Sequence, residues 1–199
     1  PFATSKALRS RLLRTAHRAF IDDPKRFATP FAEFRERERE WLDDYCLFAA
    51  LYRYFDTGDW TTLPRDILEH DPEALAAARM RLGDHIDYLA FEQFLFDRQW
   101  RRLKQYCNDR GIGIIGDIPM FVSHRSADVW AHQQAFLLRD DGQPAFVAGA
   151  PPDAFSKDGQ NWKGTFRGEG LLPVPGYRQR LHAARHNVLS DAKCAKFFG

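Results

Sequence analysis

The sequence is poor in cysteine, with Cys46, Cys107 and Cys194 the only three among 199 residues. An odd number of cysteines without C-x-x-C spacing provides neither a disulfide framework nor a zinc site. Reduced thiols are typical of cytosolic proteins, so the composition predicts a cytoplasmic location.

The sequence also lacks long hydrophobic runs and a dominant charge. No apolar stretch approaches the ~18 residues of a membrane span, and no signal-peptide pattern opens the chain. The 29 Lys and Arg residues are interspersed with 27 Asp and Glu residues, which leaves a net charge of +2. We therefore expect neither a membrane nor a nucleic acid as a partner.

The common cofactor and nucleophile motifs are missing as well. There is no P-loop, no H-E-x-x-H and no G-x-S-x-G. The letters GIGIIG at 111–116 match G-x-G-x-x-G, but these glycines bracket an apolar run, whereas a dinucleotide fingerprint follows the strand. The sequence predicts no cofactor and no metal site.

What the chain does contain is a long helical part. Hydrophobic residues make up 44% of the sequence and aromatic residues 14%, which is ample for a packed core. Apolar spacing predicts helices over 4–20, 31–55 and 72–109, with Asp71 as the N-cap of the last and Gly83 as a point of division. Residues 1–110 are thus predicted to form a mainly helical subdomain.

An apolar run, Ile112 to Ile115, follows the helical part and leads to Asp117. It predicts a buried strand that delivers a carboxylate at its end, and two short strands are expected near 121–122 and 145–148. Helix, turn and strand make one α/β step, whereas a complete (β/α)₈ barrel takes about 250 residues. If the fold is a barrel, this chain holds part of it. Asp117 could equally cap the turn that follows it.

The stretch up to Trp162 carries aromatic residues among Gly, Pro, Asp and Gln, with little periodicity. Asp153, Phe155, Gln160 and Trp162 suit a sugar, because ring faces stack on C–H groups while carboxylates and amides bind hydroxyls. The alternative is a loop that its aromatic residues pin to the core. His124, with Arg125 and Asp128, has a surface charge cluster as its alternative.

Residues 111–162 resemble the amylomaltases, the 4-alpha-glucanotransferases of glycoside hydrolase family 77, also called disproportionating enzymes. The resemblance covers about residues 1–162. The matching segments are GDIPMFVSHRSADVW (116–130), FLLRDDGQPAFVAGAPPDAFS (136–156), GQNW (159–162), WLDDYCLFAAL (41–51) and FEQFLFDRQWRRLKQYCNDRGI (91–112).

The resemblance implies an α/β fold, an incomplete (β/α)₈ TIM barrel with a large helical insertion subdomain. It implies transfer of alpha-1,4-glucan segments to glucose or another glucan by a retaining double displacement, with glucans and maltooligosaccharides as partners. Asp117 matches the carboxylate that helps bind the sugar at the cleavage point, and Phe155, Gln160 and Trp162 match a loop over the acceptor side. Asp153 and His124 are assigned to substrate binding with them.

The chain departs from the family after Trp162. The nucleophile's Arg-x-Asp-His motif and the acid/base glutamate's A-E-D-L-G stretch are absent from residues 163–199. We therefore expect a fragment with no catalytic residue of its own, in which 111–162 supply a barrel strand and substrate-binding loop. Residues 163–199 are expected to be a divergent tail, either disordered or read out of frame. The alternative function is a non-catalytic maltooligosaccharide-binding or interaction module.

Overall fold

The computed structural model describes residues 2–116, 122–150, 154, 157 and 160–165. Helices dominate this part of the chain, and a small sheet joins its last segments. The helices are α1 Phe2–Asp22, α2 Ala28–Arg37, α3 Arg39–Tyr54, α4 Arg65–Leu68, α5 Pro72–Arg81, α6 Gly83–Asn108 and α7 Ala127–Ala131, and the strands are β1 Val122–Ser123, β2 Val147–Ala150 and β3 Gln160–Thr165.

The first helix is confirmed, and it ends where the sequence predicts. Pro24 starts a short 3₁₀ turn, Pro24–Arg26, directly after α1. Proline cannot donate a backbone hydrogen bond and is best tolerated in a first turn, so the chain starts a new element there. The turn sets the angle between α1 and α2.

The single helix predicted over 31–55 is wrong, because the structure has two helices, α2 and α3, which meet at Glu38. The Glu38 side chain is only 3% exposed. Its carboxylate accepts hydrogen bonds from Arg37 Nε at 2.9 Å and from Trp41 Nε1 at 2.8 Å. Glu38 keeps its backbone hydrogen bonds to Phe34 and Leu42, and its φ of −101° and ψ of 6° mark the junction.

The tract predicted over 72–109 is confirmed as helical and is divided at Leu82, next to Gly83. Asp71 caps α5 as expected: its carboxylate accepts from the backbone N–H of Ala74 at 2.8 Å. Pro72 occupies the first helical position, where its missing N–H has no partner to lose.

Two hydrophobic clusters form the core, and α3 contributes to both. One face of α3 packs with α6 and α2, in a cluster that includes Phe34, Leu42, Cys46, Phe91 and Phe94. The other face packs with the segments around Trp60 and α7, in a cluster that includes Leu47, Leu51, Trp60, Val129 and Trp130. The helical part therefore supports the segment after β1 directly.

Buried charged side chains also join α6 to the junction of α2 and α3. Asp97 on α6 is 4% exposed and contacts Arg37 at 2.9 Å and Arg101 at 2.9 Å. Arg37 also binds Glu38, so one guanidinium joins α6 to the junction of α2 and α3. Buried carboxylates need such partners, because an unpaired charge in a core is costly.

The prediction of a buried strand at 112–116 is wrong for this chain. These residues have no regular secondary structure, and the side chains of Ile112 and Ile115 are 55% and 82% exposed. A strand needs neighbours to pair its backbone, and the described part of the chain offers this segment none. Its apolar residues consequently face solvent.

The sheet is antiparallel and has the order β1-β3-β2. Val122 pairs with Thr165, Gly149 with Asn161 and Ala150 with Gln160, with an irregularity between Val147 and Gly149. The strands expected near 121–122 and 145–148 are confirmed at Val122 and, shifted by two residues, at Val147–Ala150. The interpretation of Gln160 and Trp162 as loop residues is wrong, because they lie in β3, which pairs with a strand on each side.

Candidate functional site

Three segments that contain the motifs quoted for the resemblance meet in the sheet. β1 lies in the 116–130 motif, after Gly-Asp-Ile-Pro, and β2 lies in the 136–156 motif. β3 begins at Gln160, in the GQNW motif. Because β3 lies between the other two strands, segments about forty residues apart become neighbours. Gln160 and Trp162 are thereby placed on the central strand, and the structure describes their backbone.

His124 follows β1 directly and is 7% exposed. Its ring packs against Trp60 with 5.3 Å between centroids, and its backbone carbonyl accepts a hydrogen bond from Trp60 Nε1 at 2.7 Å. The surface charge cluster considered for this residue is therefore wrong for His124. It holds for Arg125 and Asp128, which are exposed.

Both ring nitrogens of His124 are buried, and neither has a hydrogen-bond partner among the described residues. Burial lowers the pKa of His124, with Asp59 opposing the effect and Arg125 adding to it. The imidazole is accordingly neutral at pH 7, where it can donate one hydrogen bond and accept another.

A polar ring of side chains surrounds the Trp60 turn. Asp59 accepts from the Thr61 hydroxyl at 2.8 Å and lies 3.5 Å from the Arg125 guanidinium. Gln143 Nε2 donates to the same Thr61 hydroxyl at 3.0 Å. The turn before β2 is thus tied to the turn at 59–61, across 82 positions of sequence.

The sequence prediction missed Asp59 and Trp60 as parts of this site. Their only local signal is Gly58, which indicates a turn and nothing about its neighbours. The roles of both residues come from contacts with residues 124, 125 and 143, and such long-range contacts leave no trace in a periodicity.

The aromatic residues between β1 and β2 differ in how exposed their side chains are. Trp130 and Phe136 are 1% and 6% exposed and belong to the core. Trp130 packs against Phe48 and against His70, whose ring lies 4.7 Å away. These two residues therefore anchor the chain between β1 and β2 to the core, while the alternatives for the loop of Asp153, Phe155, Gln160 and Trp162 stay predictions. Phe146 differs, because 63% of it is exposed.

Three of the six predicted site residues, Asp117, Asp153 and Phe155, lie outside the described residues. Gln160 and Trp162 share β3, and His124 lies just beyond β1, whose Ser123 pairs with Gly164 of β3. The structure therefore places three of the six predicted positions within one small sheet and the turn beside it.

No helix in the described part of the chain is long and apolar enough to cross a membrane. The same residues contain no cluster of three or more His, Cys, Asp or Glu side chains that could hold a metal ion. Their two buried carboxylates, on Glu38 and Asp97, are engaged by arginines.

The family model described as 4-alpha-glucanotransferase matches residues 1–168. The 4-alpha-glucanotransferase of Thermus thermophilus is 46% identical over 132 residues, which cover 66% of this chain and 26% of that protein. The 4-alpha-glucanotransferase of Synechocystis sp. is 44% identical over 133 residues, which cover 66% of this chain and 26% of that protein. The chain thus spans 26% of the length of each of these relatives.

A solved structure agrees with these matches. Amylomaltase from Streptococcus agalactiae, solved in complex with acarbose, superposes with a TM-score of 0.81 at 31% sequence identity. The match covers 92% of this chain and 37% of that one. The mostly helical fold described above is therefore that of the corresponding part of an amylomaltase.

Proposed function

The chain belongs to the 4-alpha-glucanotransferase family, and from that premise we propose that it is part of an enzyme that transfers alpha-1,4-glucan segments to glucose or another glucan. The observation that carries this proposal is the family match over residues 1–168, together with relatives of that name at up to 46% identity. The reaction would be a retaining double displacement through a glycosyl-enzyme intermediate.

Such a reaction needs a nucleophilic carboxylate and a carboxylic acid about 5–5.5 Å apart. We propose that no residue of this chain fills either role, since the sequence contains neither of the corresponding motifs. The chain instead supplies part of the substrate cleft. A cleft that excludes water and positions the acceptor favours transfer over hydrolysis.

We assign substrate binding to Asp117, Asp153, Phe155, Gln160, Trp162 and His124. The assignment is supported by β3, which carries Gln160 and Trp162 and whose Gly164 pairs with Ser123, the residue before His124. It is also supported by the unpartnered ring nitrogens of His124 among the described residues, which a rearrangement of the turn would have to uncover before they could contact a ligand. The Streptococcus agalactiae neighbour was solved with acarbose, and we propose maltooligosaccharides as ligands here.

We further propose that the chain is part of a (β/α)₈ TIM barrel, with 1–110 as its helical insertion, 111–162 as a segment whose barrel strand forms only beside the neighbouring strands of a complete barrel, and 163–199 as a divergent tail. The exposure of Ile112 and Ile115 supports this assignment, because in a barrel neighbouring strands would cover them. A cytoplasmic location fits the free thiols of Cys46 and Cys107.

Maltotriose tests the catalytic part of the proposal. The purified chain should release no glucose from maltotriose above a buffer control. Release of glucose would contradict the assignment of both reacting carboxylates to positions outside this chain.

Titration with maltoheptaose, followed by tryptophan fluorescence, tests the binding part. The signal should saturate in the wild type, shrink in Trp162→Ala and persist in Trp100→Phe, a control on α6. An unchanged response in Trp162→Ala would contradict the assignment of Trp162.

A non-catalytic glucan-binding module is the second candidate, favoured by the missing carboxylate motifs. The nucleotide sequence downstream of codon 162, read in all three frames, separates the two. A frame that encodes Gly-Asn-Pro and later Arg-x-Asp-His supports an enzyme fragment, and the absence of such a frame supports the module.

A further inference from the structure

A groove separates α1 from α3 and α6, and its walls are rich in arginine. It has a volume of about 370 Å³, and its lining includes Arg9, Ser10, Arg14, Arg53, His85 and Glu92. Two adjoining recesses also border Arg14, and both of them include Arg18. Arg14 therefore borders all three cavities.

The position of Arg14 is fixed by an aromatic ring. Its guanidinium carbon lies 4.8 Å from the centroid of Tyr88, which is only 6% exposed. The Tyr88 hydroxyl donates to Glu92 Oε1 at 2.6 Å, so the ring itself is anchored. A guanidinium that stacks on a ring keeps the N–H donors at its edge available for an anion.

Arginines that border the groove are not engaged in ion pairs with other described residues. None of the ion pairs found between described residues includes Arg14, Arg18 or Arg53. Of the acidic groups that border the groove and its recesses, Glu92 accepts from Tyr88 and Asp87 pairs with Arg35 at 2.7 Å, while Asp84 is exposed.

The arginines act on a common neighbour. Burial lowers the pKa of His85, and the charges of Arg53 and Arg14 lower it further. Guanidinium groups from α1 and α3 therefore lie close enough to influence one imidazole on α6. Their charges converge on the groove from two helices.

We propose that this groove binds the phosphate group of a small phosphorylated sugar. Guanidinium groups match phosphate oxygens in pairs, and Arg9, Arg14 and Arg53 all line the groove. The remaining volume, walled by Leu13, Ala49 and Leu89, exceeds what a phosphate fills and accommodates a sugar ring. The site lies on α1, α3 and α6, apart from β1–β3, so it stands independently of the glucan-transfer proposal.

Calorimetric titration of the purified chain with glucose 6-phosphate tests the proposal. Binding should saturate in the wild type and weaken by about tenfold in Arg14→Gln and in Arg53→Gln, since each change removes charge-assisted hydrogen bonds. Arg79→Gln is the matched control, because it removes the same charge from an exposed position on α5, away from the groove.

Three outcomes would overturn the proposal. They are a wild-type titration without saturation, equal weakening in Arg79→Gln, and full affinity in both groove variants. Inorganic phosphate should bind more weakly than glucose 6-phosphate, and equal affinity would overturn the assignment to a sugar phosphate. Circular dichroism should show unchanged helix content in Arg53→Gln, whose wild-type side chain is exposed.

Discussion

Trp60 is the residue on which the candidate glucan site depends most. Its indole N–H binds the carbonyl of His124, 64 positions away, and its ring packs against the His124 imidazole. On another side it lies so close to Gly142 that a Cβ atom there would come within 3.1 Å of the ring. Gly142 also has φ +75°, a conformation that favours glycine. One side chain thus positions two turns of the site.

Replacing Trp60 with Phe should lower the free energy of unfolding by about 2 kcal/mol, because the buried carbonyl of His124 loses its donor. Trp100→Phe is the control, since Trp100 Nε1 has no hydrogen-bond partner among the described residues. Urea denaturation followed by circular dichroism measures both. An equal loss in the two variants would mean that the hydrogen bond is not the cause.

At the scale of single residues, the sequence identifies candidate site residues but does not predict how buried their side chains are. The motif around His124 predicts a substrate-binding site, and the structure places that residue directly after β1. Its burial was not predictable, because the groups that cover it, Trp60 above all, are distant in sequence. A charged neighbour such as Arg125 makes the local sequence look exposed.

Among the elements, helix ends that depend on local chemistry were predicted and the others were not. The Asp71–Pro72 start of α5 is confirmed, because a cap needs only residues within one turn. The junction at Glu38 was missed, since it depends on the burial of a carboxylate beside Asp97 of α6. The strand β3 was missed because its partners lie on both sides of it, in segments far along the chain.

The cap of α5 can be tested directly. Asp71→Ala should lower the free energy of unfolding by about 1 kcal/mol, because the N–H of Ala74 loses its acceptor. Asp71→Asn keeps an oxygen at that position and should cost much less. Chemical denaturation of the wild type and of the two variants measures these losses in the free energy of unfolding. Equal losses for Ala and Asn would point to the charge of Asp71, through the helix dipole, instead of its hydrogen bond.

For the molecule as a whole, the segment after α6 differs from the helical part because it exposes apolar side chains. Ile112 and Ile115 lie well in solvent, although the sequence around them predicts a buried strand. The apolar run predicts a strand, but a strand needs neighbouring strands to pair with, and the described part of the chain provides none for this segment. The helical part, by contrast, carries its own core, which explains why its elements were largely predictable.

Lysine at both positions, Ile112→Lys with Ile115→Lys, should reduce self-association and hydrophobic-dye binding of the chain, because it removes exposed apolar area. Analytical ultracentrifugation and dye fluorescence measure the change. Met80→Lys is the control, since Met80 is 87% exposed on α5, outside this segment. An equal fall in dye binding for the control, or none in the double variant, would argue against an uncovered strand surface.

The order of the strands has a consequence for biosynthesis. The middle strand of the sheet is the last of the three to leave the ribosome, since β3 begins at Gln160 and lies between β1 and β2. A nascent chain halted before that codon holds two outer strands that have nothing to bind between them. Because β1 pairs with Gly164 and Thr165, the sheet closes only after translation has passed the codon for Thr165, and a peptide spanning Gln160–Thr165, supplied in trans, is the piece that a shortened chain would need.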